Sequence, residues 1–406
     1  FFGYMIVAHV LLPLYYKLNL TSIYGYLGTR IGVHTYRTGS FFFLLSRMLG
    51  TAAKLYLVCL ILHTHVFQEM HIPFWVIAVG SVTLVWIYTH KSGIKTIVWT
   101  DTLQTFCLIA ALLFIIYFTI QKLDTGFDGI VQTICNSEHS RIFVFDDWIS
   151  RQNFFKQFFS GIFIVIVMTG LDQDMMQKNL SCRNLREAKK NMYCYGFSFI
   201  PLNFLFLCLG ILLLALAGQM QLELPAMNDD ILPMFATQGH LGHSVLILFT
   251  IGIIAAAFSN SDSALTAMTT SVCIDLLNTE KDTEEVARRK RKRVHLLLSV
   301  LLAFFICLVE MLNNKSVIDA IYIIASYTYG PLLGMFAFGL FTRRQTNDRL
   351  VPLIAIASPV LCYALDWWIS KETGYKFGYE LLMLNGSLTF AGIMLLSGKE
   401  KAVKTP

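Results

Sequence analysis

The sequence has 406 residues, of which 55% are hydrophobic and only 14% are charged, and its mean hydropathy is +0.59. Soluble domains carry about 25% charged residues, so this composition excludes a water-soluble protein and favours one embedded in a bilayer. The net charge of +6 is modest, and nucleic-acid binding is not indicated. The nine cysteines lie singly without metal-ligand spacing, so neither a zinc site nor a disulfide framework is predicted.

Apolar stretches recur along the whole chain, each with the composition of a membrane-spanning helix. A helix needs about 20 residues to cross a hydrocarbon core about 30 Å thick, and only helices or closed barrels satisfy their backbone amides in lipid. Eleven spans are predicted, at residues 1–17, 39–64, 73–89, 95–121, 157–177, 191–218, 243–277, 294–312, 317–341, 350–369 and 378–397. The sequence therefore predicts an all-α polytopic membrane protein with one transmembrane domain over 1–406.

The first predicted span is short and begins abruptly. The chain starts with Phe1 instead of Met and shows no signal peptide, so we expect the natural protein to extend beyond this residue.

Lysine and arginine alternate between the two sides of the predicted membrane. Loops on one side hold 23 of these residues and loops on the other hold seven, and the basic side is expected to be cytoplasmic. The predicted basic loop at 278–293 includes the run 288–293, which we interpret as a topology signal instead of a lipid or nucleic-acid patch. With this orientation the loops at 122–156 and 219–242 lie outside, and the C-terminus lies in the cytoplasm.

Two cations share one face of the predicted span 39–64. Arg47, Gly50, Thr51 and Lys54 are spaced i, i+3, i+4 and i+7, and a charge inside the bilayer requires a partner or a wet pathway. Facing a cavity, the two cations would attract a carboxylate, so we expect an anionic organic solute. Pairing of these cations with Asp101 or Asp262, the carboxylates of other spans, is the alternative.

Small and polar residues form a stripe in the predicted span 243–277. Ala256, Ser259, Asn260 and Ser263 are spaced i, i+3, i+4 and i+7, with Asp262 beside them. Small residues alone would indicate close helix packing. The adjacent carboxylate adds the hard oxygen ligands that an alkali cation needs, so the stripe predicts a sodium site.

This stripe resembles the eighth core helix of the sodium/solute symporter family, whose members have the leucine-transporter (LeuT) fold, a helical bundle with an inverted repeat. The resemblance implies that Ala256, Ser259 and Asn260 bind the sodium common to that fold, although the family usually has Ser or Thr at the position of Asn260. By the same pattern the chain lacks the N-terminal helix, the first core helix and part of the second. The sodium site is therefore expected to be incomplete.

Residues 93–105, GIKTIVWTDTLQT, resemble the fifth core helix of the same family. The resemblance implies a second cation site formed by Asp101 with Ser259, Asp262 and Ser263. Two carboxylates at one site would also let one of them hold a proton, so proton coupling is an alternative to sodium coupling.

Residues 170–191 resemble the end of the sixth core helix and the basic loop after it. We interpret Asp172, Gln173 and Asp174 as an inner gate or loop anchor, with carboxylates solvated at the cytoplasmic face.

Residues 326–341 resemble the tenth core helix of the family. A hinge is expected there, because Pro331 removes a backbone hydrogen bond and Gly330 loosens the packing.

The function that these patterns predict is sodium-coupled symport of a small organic solute by alternating access. Sodium is the only ion or cofactor expected, the other partners are the solute and the bilayer, and no enzymatic chemistry is indicated. A passive channel or a transporter-like sensor is the alternative class.

Overall fold

The protein is built from α-helices in a computed structural model that describes residues 1–89, 94–150, 152–225, 228–312, 317–375 and 377–398. Within these ranges the regular elements are helical, and extended segments pair only at an isolated bridge between Thr346 and Ser397. The helices of six or more residues, numbered in chain order, are α1 (Phe2–Leu18), α2 (Gly25–Arg30), α3 (Val33–Ile61), α4 (Phe74–Thr89), α5 (Ile94–Leu123), α6 (Phe127–Cys135), α7 (Phe154–Gly170), α8 (Gln173–Leu180), α9 (Leu185–Gln219), α10 (Ile231–Thr237), α11 (His243–Ser271), α12 (Glu284–Leu312), α13 (Val317–Phe341), α14 (Val351–Thr373) and α15 (Leu381–Leu395).

Seven of the described helices are long and apolar enough to cross a membrane, and the bent pair of α7 and α8 makes an eighth candidate. Three shorter apolar helices, Phe2–Leu18, Phe74–Ile87 and Leu381–Leu395, lie at the remaining predicted spans. Large apolar side chains such as Trp99 and Phe106 are exposed on the outer surface, as contact with lipid requires. The all-α polytopic class is confirmed, whereas the number of eleven spans stays a prediction.

The predicted span at 157–177 is not one continuous helix, because α7 and α8 are separate helices that meet at an angle of 64°. Asp172 has an extended backbone, and its carboxylate accepts hydrogen bonds from the N–H groups of Asp174 (3.0 Å) and Met175 (3.2 Å). A side chain that caps the first turn of α8 starts a new helix instead of continuing the previous one.

The predicted loops are also partly helical. The helix α12 begins at Glu284, so the basic run 288–293 lies on its first turns instead of in a loop. The predicted outer loops at 122–156 and 219–242 contain α6 and α10. The ion pair of Arg289 with Glu285 at 2.8 Å, four residues apart on these turns, favours the helical start.

Two polar side chains join the turn between α2 and α3 to the turn between α13 and α14. The guanidinium of Arg30 donates to the carbonyl oxygen of Thr342 at 2.5 Å, just after the C-terminal end of α13. The carboxylate of Asp348 accepts from the backbone N–H groups of His34 and Thr35, each at 2.8 Å, at the N-terminal end of α3. Each helix end thus receives partners for backbone groups that a helix leaves unsatisfied.

Two further contacts join segments that the count of lysine and arginine assigns to the same side of the membrane. The hydroxyl of Tyr16 donates to the carbonyl oxygens of Asn179 (3.1 Å) and Cys182 (3.2 Å), which connects the end of α1 to the end of α8 and the turn after it. The N–H group of Gly398 donates to the carbonyl oxygen of Gln345 at 3.0 Å, which ties the C-terminal segment to the turn after α13. These turns and the end of α15 therefore lie together at one end of the bundle.

Replacing Asp348 by Ala is expected to lower the free energy of unfolding by about 1–2 kcal/mol, because the first-turn N–H groups of α3 lose their acceptor. Thermal unfolding of the purified protein in detergent measures this loss. The variant Arg349→Ala, at an exposed neighbouring position, is the matched control and should unfold like the parent.

The stabilisation that Asp348 provides should decrease as the pH falls. Burial alone raises the pKa of Asp348, but hydrogen bonds from Thr35 and from the N–H groups of His34 and Thr35 hold it below its ordinary value. The cap therefore stabilises the fold above the unfolded pKa of about 3.9, and it is lost as the pH falls through the lower folded pKa. The difference between parent and Asp348→Ala should shrink in acid, and a difference independent of pH would contradict this assignment.

The residues of the predicted hinge lie on the packed face of α13. Pro331 cannot donate to the carbonyl oxygen of Tyr327, and Nδ2 of Asn385 in α15 supplies a donor at 3.1 Å. A Cβ on Gly330 would lie 2.3 Å from the same Nδ2, so glycine permits the close approach of α13 and α15. The helix runs unbroken from Val317 to Phe341, and the hinge stays a prediction.

Candidate functional site

The guanidinium of Arg47, on α3, contacts two carboxylates at the start of α8. Its Nη2 donates to Oδ2 of Asp174, and its Nη1 lies 3.6 Å from Oδ2 of Asp172. The hydroxyl of Tyr329, on α13, donates to the same oxygen of Asp172 at 2.5 Å. These carboxylates are almost fully buried, so a cation and a hydroxyl offset the cost of placing two negative charges in the interior.

A second cation extends the chain of charges towards α5 and α11. Nζ of Lys178, one turn along α8, lies 2.7 Å from Oδ2 of Asp101 and 3.9 Å from Oδ1 of Asp174. The other carboxylate oxygen of Asp101 accepts a hydrogen bond from the hydroxyl of Ser259. Contacts between opposite charges therefore run from Arg47 through Asp174 and Lys178 to Asp101, which also contacts the hydroxyl of Ser259. We call this series the charge chain.

The residues of the predicted sodium stripe do not all face one point. Ser259 is buried against α5 through its contact with Asp101, whereas Asn260 is exposed. Nδ2 of Asn260 donates to the carbonyl oxygen of Ala256 at 2.9 Å, which is a bond within its own helix. This arrangement separates Asn260 from Ser259, because adjacent positions on a helix point about 100° apart.

The second predicted cation site is partly assembled. Asp101 and Ser259 are in direct contact, and Asp262 and Ser263 lie about one turn further along α11, where both are buried. Carboxylate and hydroxyl oxygens are ligands that a sodium ion accepts. The side chain of Asp101 is partly exposed, so an ion can reach it. The structure thus brings Asp101 and Ser259 together between α5 and α11, and cation binding there stays a prediction.

The four predicted solute-binding residues line one small cavity between α3, α7 and α13. Its free volume is about 20 Å³, which is room for roughly one water molecule, so an organic solute requires the helices to separate. The lining residues are Ser46, Arg47, Gly50, Thr51, Lys54, Met168, Ile321, Ile324, Ala325 and Tyr329.

The two cations of this cavity differ in their partners. Arg47 pairs with Asp172 and Asp174, so the alternative in which Asp101 or Asp262 neutralises it is wrong. The bend between α7 and α8 brings these two carboxylates into contact with Arg47 on α3. Lys54 is exposed, and in the part of the chain that the structure describes no carboxylate lies within 4.0 Å of its Nζ.

The predicted gate residues are anchored by long-range bonds. Oε1 of Gln173 accepts from the N–H group of Ile23, and its Nε2 donates to the carbonyl oxygen of Thr21, both at 3.0 Å. Asp172 is fully buried, so the expectation that its carboxylate is solvated is wrong. These bonds connect α8 to the chain before α2, as a loop anchor requires, and gating stays a prediction.

Two residues of this site, Lys178 and Tyr329, are not predicted from the sequence. Lys178 follows Asp174 by four residues, a spacing at which opposite charges meet on a helix. That signal was available, but it gives no indication that Asp101 lies even closer. Tyr329 belongs to an apolar stretch, and its contact with Asp172 arises only from the packing of α13 against the start of α8.

Comparison with known proteins gives consistent matches. The model of the sodium:solute symporter family matches residues 1–349. The chain is 27% identical over 412 residues to the sodium/sialic acid symporter NanT of Aliivibrio fischeri, covering 95% of this chain and 76% of that protein. It is also 27% identical over 358 residues to the sodium-dependent multivitamin transporter of Oryctolagus cuniculus, covering 84% of this chain and 54% of that protein.

The fold is similar to a solved structure of a Na+-coupled sialic acid symporter in a substrate-bound outward-open state. The TM-score is 0.81 at 21% sequence identity, covering 97% of this chain and 81% of the other. This likeness confirms the predicted LeuT-like helical bundle. Since the family model covers most of the sequence, the chain belongs to the sodium:solute symporter family.

Proposed function

We propose that this protein couples the inward movement of sodium to the uptake of a small anionic organic solute, with a carboxylate that binds in the cavity beside Lys54. The observation that carries the proposal is the unequal pairing of the two cavity cations. Arg47 is held by two carboxylates, whereas the exposed Lys54 has no acidic partner among the described residues. A cation that lines a cavity without a counter-ion attracts an anion.

Sodium is proposed to bind between α5 and α11, with Asp101 and Ser259 as ligands. Their contact supports this placement, because it brings a carboxylate and a hydroxyl oxygen together beside a partly exposed ion pair. The related symporter of Aliivibrio fischeri is named for sialic acid, which carries a carboxylate, and this chemistry fits the cavity cation. Transport by alternating access then requires the small cavity to widen towards each side in turn.

The proposed orientation places the basic turns and the C-terminus in the cytoplasm. The lysine and arginine count supports it, since 23 of these residues fall on that side. The contacts among the turns after α1, α8 and α13 support it as well, because they gather these segments at one end of the bundle.

Replacing Lys54 by Gln is expected to weaken the apparent affinity for a carboxylate solute about 10- to 100-fold, because a hydrogen bond to a charged group is lost. Uptake of radiolabelled sialic acid and of short monocarboxylates by proteoliposomes measures this change. The sodium concentration that gives half-maximal uptake should stay the same, since Lys54 belongs to the solute cavity.

The matched variant is Lys54→Arg, which keeps the positive charge and should keep most of the affinity. If Lys54→Gln transports every carboxylate solute with unchanged affinity, Lys54 does not bind the solute. Equal losses in the Gln and Arg variants would instead indicate a requirement for the shape of the lysine side chain.

A further inference from the structure

We propose that Lys178 is a positioning residue that links the two sites: its ammonium group occupies the carboxylate of Asp101 until sodium displaces it, and its new pairing with Asp174 then weakens the pairing of that carboxylate with Arg47 beside the solute cavity. This inference rests on the proposed function and specifies how sodium and solute binding are coupled. It starts from the charge chain, in which Lys178 lies between two carboxylates and Asp174 lies between two cations.

The first step is competition at Asp101. Nζ of Lys178 lies 2.7 Å from one oxygen of this carboxylate, while the hydroxyl of Ser259 donates to the other. A sodium ion held by Asp101 and Ser259 would come within a few ångströms of the ammonium group, and two like charges at that distance repel each other. Sodium binding therefore requires Lys178 to move, and its side chain is about one quarter exposed, which leaves space for movement.

The second step follows from the position of Lys178 on α8. Its other partner, Asp174, is one helical turn away and already only 3.9 Å from Nζ. A change of side-chain rotamer closes that distance without moving the backbone, because residues at i and i+4 face each other on a helix. The ammonium group thus exchanges one carboxylate for another and does not remain uncompensated.

The third step concerns Arg47, which shares Asp174 with Lys178. When the ammonium group moves onto Asp174, this carboxylate is shared between two full cations, and its attraction for the guanidinium weakens. Arg47 also lines the cavity beside Lys54, so a weakened pairing increases the positive potential that an anionic solute meets. Sodium bound near Ser259 would thereby raise the affinity for the solute without touching it.

The relay predicts a specific result for Lys178→Gln, which keeps a polar side chain but removes the competing charge. The sodium concentration for half-maximal binding should fall about 10-fold, because no tethered cation holds Asp101. The factor by which sodium strengthens solute binding, within a range of about 5- to 150-fold for coupled sites, should fall towards 1. Equilibrium binding of radiolabelled sialic acid to the purified protein with and without sodium measures the coupling factor, and thermal unfolding at increasing sodium concentrations measures the sodium affinity.

The matched variant Lys178→Arg keeps the charge and should keep both the sodium affinity and the coupling factor. A residue that only stabilises the fold would not make sodium bind more tightly when it is removed, so an increase in sodium affinity is diagnostic. Thermal unfolding at increasing sodium concentrations gives the same affinity without a solute, and it applies even if Lys178→Gln lowers the basal stability.

The outcomes separate the relay from the proposed function. If the parent protein binds sialic acid and monocarboxylates equally well with and without sodium, the proposed function fails. If the parent shows sodium-dependent binding but Lys178→Gln retains the full coupling factor, the relay is overturned and the proposed function stands. A weaker sodium affinity in Lys178→Gln would likewise overturn the relay, because it would make the lysine a supporter of the site instead of a competitor.

Discussion

Replacing Asp101 by Asn should raise the sodium concentration for half-maximal uptake about 10- to 100-fold. The amide keeps the size of the side chain but removes the negative charge, and an interaction with a charged group contributes about 1.5–3 kcal/mol. Uptake by proteoliposomes at increasing sodium concentrations measures the change. The maximal rate at saturating sodium should fall less than the affinity, because Ser259 and the rest of the bundle are retained.

The control for Asp101→Asn is Asp128→Asn, which removes a carboxylate from the exposed helix α6. This variant should bind sodium like the parent. If both variants behave like the parent, Asp101 is not a sodium ligand, and the site between α5 and α11 has to be abandoned. A shift in the pH dependence of uptake without a shift in sodium affinity would instead assign a proton to Asp101.

Replacing Arg47 by Gln should lower the free energy of unfolding by about 3–5 kcal/mol. The substitution leaves the buried carboxylate of Asp172 without a cation and that of Asp174 with only the more distant Lys178, and removal of one partner from a buried ion pair has a cost of this size. Denaturation in detergent, or the yield of folded protein after extraction, measures the effect. A loss of uptake in this variant would therefore be explained by the loss of folded protein and would not show that Arg47 binds the solute.

Lys54→Gln serves as the control for stability, because Lys54 shares the cavity but has no carboxylate partner among the described residues. It should unfold like the parent while binding the solute more weakly. The variant Arg47→Lys should recover part of the stability, since a single ammonium group cannot reach both carboxylates as the guanidinium does. Equal stability of Arg47→Gln and the parent would show that the two carboxylates do not depend on Arg47.

Composition and loop charge were sufficient to predict the helical membrane class. The apolar stretches are so long and continuous that only spanning helices satisfy their backbone, and the family match confirms this class. The contact between Asp101 and Ser259 was also predictable, because the motif around each residue resembles one core helix of a single family. A resemblance of this kind carries information about which helices are neighbours, which periodicity alone does not.

The pairing of Arg47 could not be predicted in the same way. Its partners, Asp172 and Asp174, are 125 or more positions away in the sequence, and they reach Arg47 only because α7 and α8 meet at 64°. The hydropathy pattern continues across this bend, so a span without a break was expected. The cap formed by Asp172 was a local signal of the break, but acidic residues near the end of a span are also typical of a cytoplasmic boundary.

The orientation of Asn260 depends on a local competition. Its position in the stripe predicts a sodium ligand, but its Nδ2 donates to the carbonyl oxygen of Ala256, four residues earlier. Side chains of this kind often bond to the backbone of their own helix, and the sequence gives no indication of which partner is preferred. The role of Asn260 in sodium binding stays a prediction that Asn260→Ala would test.

The most direct measurement of sodium coupling is uptake of sialic acid by proteoliposomes under an imposed ion gradient. An inward sodium gradient should drive accumulation of the solute above its external concentration, whereas an equal potassium gradient or an inward proton gradient should not. Accumulation that is the same with potassium as with sodium, or that follows the proton gradient in the absence of sodium, would contradict sodium-coupled symport.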